Sequence, residues 1–239
     1  MSEQGRPTGW EAAYRARPSF GYMTDDHHED CEALHRIFDH SGVRRILDLG
    51  CGDGRHLVYF ARLGYQMHGQ DIAPTAVELA QAWLARESLS ADLASGDMTR
   101  ILWPDSAFDA MLCVKVINHH RVREIRRTID EIHRSLRSGG FLFLTVGINL
   151  PLRPDAPKAI EVEPRTYVPT EGHEKGVPHH EFTMAELLHE LHRFSVREDL
   201  MPVHRDTNEY TCLLFQRTPE GQPDTPATHP STHSGEANP

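Results

Sequence analysis

The chain has 239 residues, a formal net charge of −10 at pH 7 and 38% hydrophobic residues, which suits one α/β domain with polar extensions. The acidic excess provides no basic field for a phosphate backbone, so the composition argues against a nucleic-acid partner. No stretch reaches the ~18 apolar residues of a membrane span, and no apolar leader is present. The four cysteines are widely spaced without a C-x-x-C pair, as in reduced compartments. We therefore predict a cytoplasmic protein with no membrane association.

The first 42 residues are predicted to form an N-terminal arm with a helical cap. Four aromatic residues fall within thirteen positions: Trp10, Tyr14, Phe20 and Tyr22. A helix is predicted over Glu32–Phe38, ended by Ser41 and Gly42. Tyr14 and Tyr22 are candidates to line a substrate pocket. The alternative is that the aromatic residues only anchor the arm on the core.

The most informative stretch is residues 46–54, where ILDL is followed by GCGDG. The apolar run predicts a buried parallel strand, and glycines at alternate positions predict a tight turn that brings the backbone close to a ligand. Apolar residues at helical spacing follow, so the turn leads into a helix N-terminus, which favours an anion. The next predicted strand ends at Asp71, roughly twenty residues on, where an acid is placed to bind both ribose hydroxyls of an adenosine.

Three further motifs follow in order. The full series is LDLGCGDG at 47–54, QDIA at 70–73, SGDM at 95–98, FDAM at 108–111 and LRSGG at 136–140. This series resembles the class I S-adenosylmethionine-dependent methyltransferases, closely over residues 43–147 and more loosely over 180–217. The resemblance implies an α/β fold with a Rossmann-like seven-stranded, mostly parallel sheet in the order 3-2-1-4-5-7-6 and helices on both faces. It also implies S-adenosyl-L-methionine as cofactor and one-carbon group transfer as activity.

The resemblance also assigns cofactor-binding residues. In the family, the acid after the third strand accepts a hydrogen bond from the adenine amino group, which is the position of Asp97, and the following backbone N–H meets the ring. The alternative for Asp97 is a helix cap or turn acid. The full implied set is Asp48, Gly50, Cys51, Gly52, Asp71, Ile72, Asp97, Met98 and Val114.

The loop after the fourth predicted strand, residues 117–120, carries the candidate catalytic groups His119 and His120. It lacks the Asn/Asp-Pro-Pro-aromatic motif of enzymes that methylate amino groups of DNA bases or glutamine, and the chain lacks the Pro-Cys nucleophile of cytosine-C5 enzymes. An imidazole with a free pKa near ~6.5 suits a general base at neutral pH. The alternative is that both histidines cap the next helix or pack structurally.

Residues 148–182 are predicted to be a lid-like insertion, because a long Pro-rich connection in a compact domain is usually a binding segment. Its candidate substrate contacts are Arg165, Tyr167, His179 and His180. Three histidines and two glutamates between positions 173 and 181 suggest a metal, but no pair has i, i+4 spacing and no cysteine is present. The run His27–Asp30 also contains ligand types, and we interpret it as a polar helix start. We therefore predict no metal site.

The remaining chain closes the domain. Thr183 and Glu186 predict a capping box that opens a helix with Leu187, Leu188 and Leu191 facing inward. Two strands, over 194–201 and 210–215, are expected to form the last hairpin. Residues 218–239 are predicted to be disordered, because they contain almost no large apolar side chain. The predicted division is therefore an arm over 1–42, a methyltransferase domain over 43–217 and a tail.

The sequence-based hypothesis is methyl transfer in line to an oxygen, nitrogen or sulfur atom of a small molecule, by a monomer or homodimer. Three alternatives stay open. They are an RNA or protein methyltransferase, a non-catalytic S-adenosylmethionine-binding sensor or partner subunit, and a nucleotide-dependent oxidoreductase. The short glycine loop speaks against the last of these.

Overall fold

The computed structural model describes residues 9–16, 27–148, 158–172 and 174–219. Tyr22 and all but two residues of the predicted disordered tail lie outside this part of the chain. The proposed domain division at residues 42 and 217 stays a prediction. Within the described residues, no helix is long and apolar enough to cross a membrane.

Six helices and eleven strands make up the described fold. The helices are α1 (Gly9–Ala16), α2 (Cys31–His40), α3 (Arg55–Arg62), α4 (Pro74–Arg86), α5 (Val122–Ser135) and α6 (Met184–Glu190). The first five strands are β1 (Arg45–Leu49), β2 (Gln66–Asp71), β3 (Ala91–Ser95), β4 (Phe108–Val114) and β5 (Leu136–Val146). The others are β6 (Ala159–Glu163), β7 (Thr166–Pro169), β8 (His179–His180), β9 (Phe194–Val196), β10 (His204–Arg205) and β11 (Thr211–Arg217).

The main sheet runs in the order β10-β11-β5-β4-β1-β2-β3, and β9 also pairs with β11. Strands β1 to β5 run parallel to one another, whereas β11 is antiparallel to β5. With β9 and β11 as sixth and seventh strands, the order is the predicted 3-2-1-4-5-7-6, and β10 is a small addition. The Rossmann-like fold is therefore confirmed. The insertion forms its own antiparallel sheet, β6-β7-β8.

The core has two halves, one on each face of the sheet. On one face, α5 buries Ile125, Ile129 and Ile132 against the sheet, together with Leu47 and Leu49 of β1. On the other face, α2, α3 and α4 bury Phe38, Phe60 and Trp83 together with Ile46. Because β1 is covered on both faces, its apolar run can be continuous rather than alternating. Because β1, β2 and β4 are parallel, their carboxyl ends lie side by side at one edge of the sheet.

Two local predictions need correction. Leu188 is 40% exposed rather than inward, whereas Leu187 and Leu191 are buried as expected. The strand predicted over 194–201 ends at Val196, and residues 197–200 form a turn in which Leu200 N–H donates to Arg197 O. The capping box of Thr183 and Glu186 is confirmed.

Candidate functional site

The glycine turn after β1 has the conformation that the sequence predicts. Gly50 and Gly52 have φ values of 75° and 55°, in the left-handed region that favours glycine. A Cβ atom on Gly50 would collide with Val116, and one on Gly52 would lie 2.7 Å from the Tyr14 hydroxyl. The Gly50 and Cys51 N–H groups both donate to Gln70 O, at 2.7 and 3.1 Å. The turn is thus held against the end of β2.

Asp71 ends β2 and connects that strand to the glycine turn. Its Oδ2 accepts a hydrogen bond from Gly52 N–H at 2.9 Å, and its Oδ1 accepts one from Ala73 N–H at 2.9 Å. The side chain is 9% exposed, and burial raises the pKa of this carboxyl while the two backbone donors oppose the rise. Asp71 therefore shapes the loop and presents a carboxylate edge at the same time.

A cavity of about 290 Å³ opens where the glycine turn, the ends of β2 and β4, and helix α1 meet. Most of the predicted site lines it. The predicted residues on its wall are Tyr14, Gly50, Cys51, Gly52, Asp71, Ile72, Met98, Val114, His119 and His120. The lining of the cavity combines apolar side chains with a few polar groups, as small-molecule sites do.

Two predicted cofactor residues, Asp48 and Asp97, are not part of the cavity wall. Asp48 is 1% exposed, and its Oδ2 lies 3.6 Å from Nδ1 of His56, which does line the cavity. Oδ1 of Asp97 accepts a hydrogen bond from Thr99 N–H at 2.8 Å and lies 3.3 Å from His120 Nε2. The contact with His120 holds the pKa of Asp97 well below its usual range. The adenine contact assigned to Asp97 stays a prediction.

The two candidate catalytic histidines stand in different surroundings. The His119 ring lies between Trp10 and His179, with ring-centroid distances of 5.0 and 4.8 Å. Burial lowers the pKa of His119 to about 3, so its imidazole is neutral at physiological pH. His120 instead faces the Asp97 carboxylate, with its Nε2 3.3 Å from Asp97 Oδ1.

The predicted substrate contacts of the insertion lie outside the cavity lining. His180 is 3% exposed, with its ring nitrogens 2.8 Å from the Thr166 hydroxyl and 3.1 Å from Glu186 Oε1. Nε of Arg165 donates to Glu181 O at 2.6 Å. Tyr167 pairs with His179 across β7 and β8, and the His179 ring packs against His119 of the cavity wall with a centroid distance of 4.8 Å. The substrate roles of these residues, like that of Tyr22, stay predictions.

The structure adds wall residues that the motif comparison missed: Trp10, Leu49, Asp53, Arg55, His56, Gln70, Gly96, Lys115 and Val116. Two of them left a signal in the sequence. Asp53 lies inside the glycine loop, and burial raises its pKa to about 6. Lys115 is a charged residue at the end of an apolar strand and has a φ of 61°. Its Nζ lies 3.0 Å from Asp206 Oδ2 and 4.6 Å from the Tyr210 ring centroid.

Comparison with known proteins identifies the domain that carries this cavity. Residues 46–140 match the family model described as a methyltransferase domain. This region of the chain is therefore similar to a methyltransferase domain, in agreement with the series of motifs in the sequence. The glycine turn, Asp71 and Asp97 all lie within the matched region.

Individual relatives agree on the domain and differ in what their names say they act on. A ubiquinone biosynthesis O-methyltransferase from Chelativorans sp. (strain BNC1) is 31% identical over 100 residues, which are 42% of this chain and 39% of the relative. A ribosomal RNA small subunit methyltransferase C from Alcanivorax borkumensis is 31% identical over 110 residues, 45% of this chain and 33% of the relative. The chain thus spans well under half the length of these curated relatives.

A solved structure extends the likeness over almost the whole chain. The 1,6-didemethyltoxoflavin-N1-methyltransferase of Burkholderia thailandensis, with bound 1,6-didemethyltoxoflavin and S-adenosylhomocysteine, has a TM-score of 0.59 and 21% sequence identity. The match covers 91% of this chain and 93% of that one. At this identity the comparison shows a shared fold.

The residues of the cavity fit S-adenosyl-L-methionine, the cofactor that the sequence resemblance implies. Asp71 offers a buried carboxylate edge at the end of β2, where ribose hydroxyls are bound in such sheets. Gly50 and Gly52 leave no Cβ atoms between the backbone and the cavity. Met98 and Ile72 supply apolar surface for a purine ring.

We expect Asp71→Ala to weaken binding of S-adenosylhomocysteine at least about tenfold, or ~1.4 kcal/mol, because the ribose loses its acceptor and the Gly52 N–H loses its partner. Calorimetric titration measures the change. Asp71→Asn keeps one carbonyl acceptor and should lose less. The control is Asp92→Ala, an exposed acid on β3 whose Oδ2 accepts from Trp103 Nε1. Equal affinities of wild type and Asp71→Ala would contradict the assignment.

The elevated pKa of Asp53 predicts a specific dependence of stability on pH. Its pKa is raised by burial from 3.8 to about 6, so between these pH values the native state keeps a proton that the unfolded chain has released. Stability therefore falls as pH rises through this window, and the loss persists above it. We expect the stability of Asp53→Asn relative to wild type to rise by ~1–2 kcal/mol between roughly pH 4 and pH 7.

Urea denaturation without cofactor at both pH values measures this difference. Asp39→Asn, a change at an exposed acid of α2, is the matched control and should show much less. A difference between Asp53→Asn and wild type that does not vary with pH would contradict the predicted titration.

Proposed function

We propose that the protein is an S-adenosylmethionine-dependent methyltransferase that acts on an oxygen, nitrogen or sulfur atom of a small molecule. The observation that carries the proposal is the composition of one cavity wall. Cofactor-type groups, the glycine turn and Asp71, share this wall with His119, His120 and Lys115. A non-catalytic binding module would not need titratable side chains at this position.

S-adenosyl-L-methionine supplies a methyl group that is already activated by its sulfonium. The task left to the protein is to align the acceptor, exclude water and remove a proton. Trp10 and Tyr14 of α1 cover the cavity from the arm side. Burial and the Asp71 carboxylate raise the pKa of Tyr14, so its hydroxyl stays protonated and serves as a hydrogen-bond donor.

His119 and His120 have different roles towards the acceptor. His120 takes the proton from the acceptor, because the Asp97 carboxylate 3.3 Å away stabilises the imidazolium that forms. His119 positions the acceptor, because burial keeps its ring neutral and its packing between Trp10 and His179 fixes its orientation.

The charge distribution favours a small acceptor over RNA. The chain has a net charge of −10, and two of the cationic groups on the cavity wall, Arg55 and Lys115, stand beside acids. RNA binding normally uses a continuous basic surface. The name of the rRNA methyltransferase relative nevertheless makes RNA the second candidate, and the test below includes it.

The test is release of S-adenosylhomocysteine from S-adenosylmethionine in the presence of separate acceptor panels. The panels are small phenols and carboxylates, amines and N-heterocycles, thiols, and ribosomal RNA transcripts. We expect turnover with at least one small-molecule panel and no stimulation by RNA. Turnover with RNA alone would overturn the small-molecule assignment. Cofactor binding without turnover on any panel would favour a sensor or partner subunit.

On a substrate identified in this way, we expect His120→Ala to lower kcat by ~10²-fold, the usual contribution of a general base. We expect His119→Ala to lower kcat/KM mainly through a higher KM, because it removes a contact rather than a base. Neither variant should change the Kd of S-adenosylhomocysteine more than about threefold, well under the tenfold step of one lost contact. His189→Ala, on α6, is the control. Full turnover by both variants would refute the assignment.

A further inference from the structure

A second cluster of reactive side chains lies where the chain before α2 meets the β10–β11 hairpin. It consists of His28, Asp206 and Cys212, which are 7%, 5% and 0% exposed. His28 Nε2 lies 3.4 Å from Asp206 Oδ2 and 3.8 Å from Cys212 Sγ. All three potential ligand atoms lie within 4.8 Å of one another. His28 and Cys212 are 184 positions apart in the sequence, so only the fold brings His28 to the two hairpin residues.

The Asp206 carboxylate is arranged so that one of its oxygens faces the cluster. Its Oδ1 accepts hydrogen bonds from the N–H groups of Asn208 and Tyr210, at 2.9 and 2.8 Å. Its Oδ2 is directed at His28 and at Lys115 Nζ, which lies 3.0 Å away. The backbone of the turn thus fixes the carboxylate from behind.

A second layer surrounds the His28 ring. Asp30 Oδ2 lies 3.5 Å from His28 Nδ1 and 3.2 Å from His204 Nε2, while Asp30 N–H also approaches Nδ1 at 3.2 Å. Asp30 occupies the N-cap position of α2, yet its side chain makes no capping hydrogen bond. The interpretation of residues 27–30 as a simple polar helix start therefore does not explain where this carboxylate points.

We propose that His28, Asp206 and Cys212 bind one zinc ion, with the fourth position taken by water. Thiolate, imidazole and carboxylate together are a ligand set that zinc prefers over magnesium or calcium. Ligand atoms ~2.0–2.3 Å from a tetrahedral zinc are separated by roughly 3.3–3.6 Å, close to the two distances of the cluster. Asp30 then fills the outer position that carboxylates take on the far nitrogen of metal-bound histidines.

Binding is a ligand exchange with a simple balance. The Cys212 S–H bond breaks, a sulfur–zinc bond forms, and the proton leaves to solvent. His28 binds through the Nε2 lone pair, so its ring proton moves to Nδ1, where Asp30 Oδ2 at 3.5 Å accepts it in place of the hydrogen bond that Asp30 N–H donates to Nδ1 in this structure. No oxidant or reductant is needed.

Such a site ties the arm to the rest of the methyltransferase domain. His28 precedes α2, whereas Asp206 and Cys212 belong to the hairpin at the far end of the chain. The His28 N–H also lies 3.4 Å from Nε2 of His56, a residue of the cavity wall. Zinc would therefore hold His28 in place beside the cavity wall, and the proposal does not depend on the identity of the methyl acceptor.

The described residues contain two other sets whose ligand atoms also lie within 4.8 Å of one another. Asp30, His204 and Cys212 share the thiol of the cluster, so His28→Gln and Asp206→Asn would leave that set intact. The rival set, His119, Glu174 and His179, lacks a thiol, and His119 belongs to the cavity wall. A metal bound there would be a different site with a different role. The experiment must therefore separate the two.

The test uses the untagged full-length chain, purified without chelator and analysed for metal by mass spectrometry. We expect about one zinc per chain, and after exchange the Co²⁺ form should show the near-ultraviolet absorption of a thiolate–cobalt bond. His28→Gln, Asp206→Asn and Cys212→Ser should each reduce bound zinc to less than about a tenth of the wild-type amount, since each removes a ligand. Circular dichroism checks that the variants fold, and Asp206→Asn changes shape least.

Two control variants complete the design. Cys113→Ser changes a buried cysteine of β4 outside the cluster, and His179→Gln removes a ligand of the rival set. Both should keep zinc and the cobalt band. Wild type without zinc or a thiolate–cobalt band would overturn the proposal. So would zinc that survives in folded Asp206→Asn or is lost in His179→Gln.

Discussion

The hydrogen bond from Gly52 N–H to the Asp71 carboxylate is the contact on which the site depends. It joins two neighbouring parallel strands at the point where both end, and so links the turn after β1 to the end of β2. The Gln70 carbonyl strengthens this link, because it accepts hydrogen bonds from the N–H groups of Gly50 and Cys51. Because Asp71 is buried and has two backbone donors, its carboxylate is oriented before any ligand arrives, which lowers the ordering cost of binding.

Those features of the fold that follow from local chemistry could be predicted from the sequence. The glycines at 50 and 52 adopt φ values that few other residues adopt, and Asp71 ends the next strand about twenty residues further on. Both features can therefore be recognised in the sequence alone. The same holds for the Thr183 capping box, which needs only four residues. The exposed Leu188 escaped prediction because a seven-residue helix is too short for its apolar stripe to define an inward face.

The acceptor side could be predicted much less well, because it is assembled from segments that have no common motif. The half-buried His119 ring is packed against Trp10 and His179, which come from two other parts of the chain. His180 illustrates the opposite case. It has the same residue type and stands next to His179, yet its contacts with Thr166 and Glu186 make it part of the packing between the insertion and α6. Residue type alone does not separate these two roles.

Lys115 connects the cavity with the cluster of His28, Asp206 and Cys212. It ends β4 with a left-handed φ, lines the cavity, and places its ammonium against Asp206, which also faces His28. An isolated buried carboxylate such as Asp206 would be costly, and a cation beside it offsets that cost. A zinc ion at His28 would add positive charge on the other side of the same carboxylate and weaken its hold on Lys115. The ammonium would then be freer to turn towards the cavity. Zinc bound to the cluster would thus alter the charge that a methyl acceptor meets in the cavity.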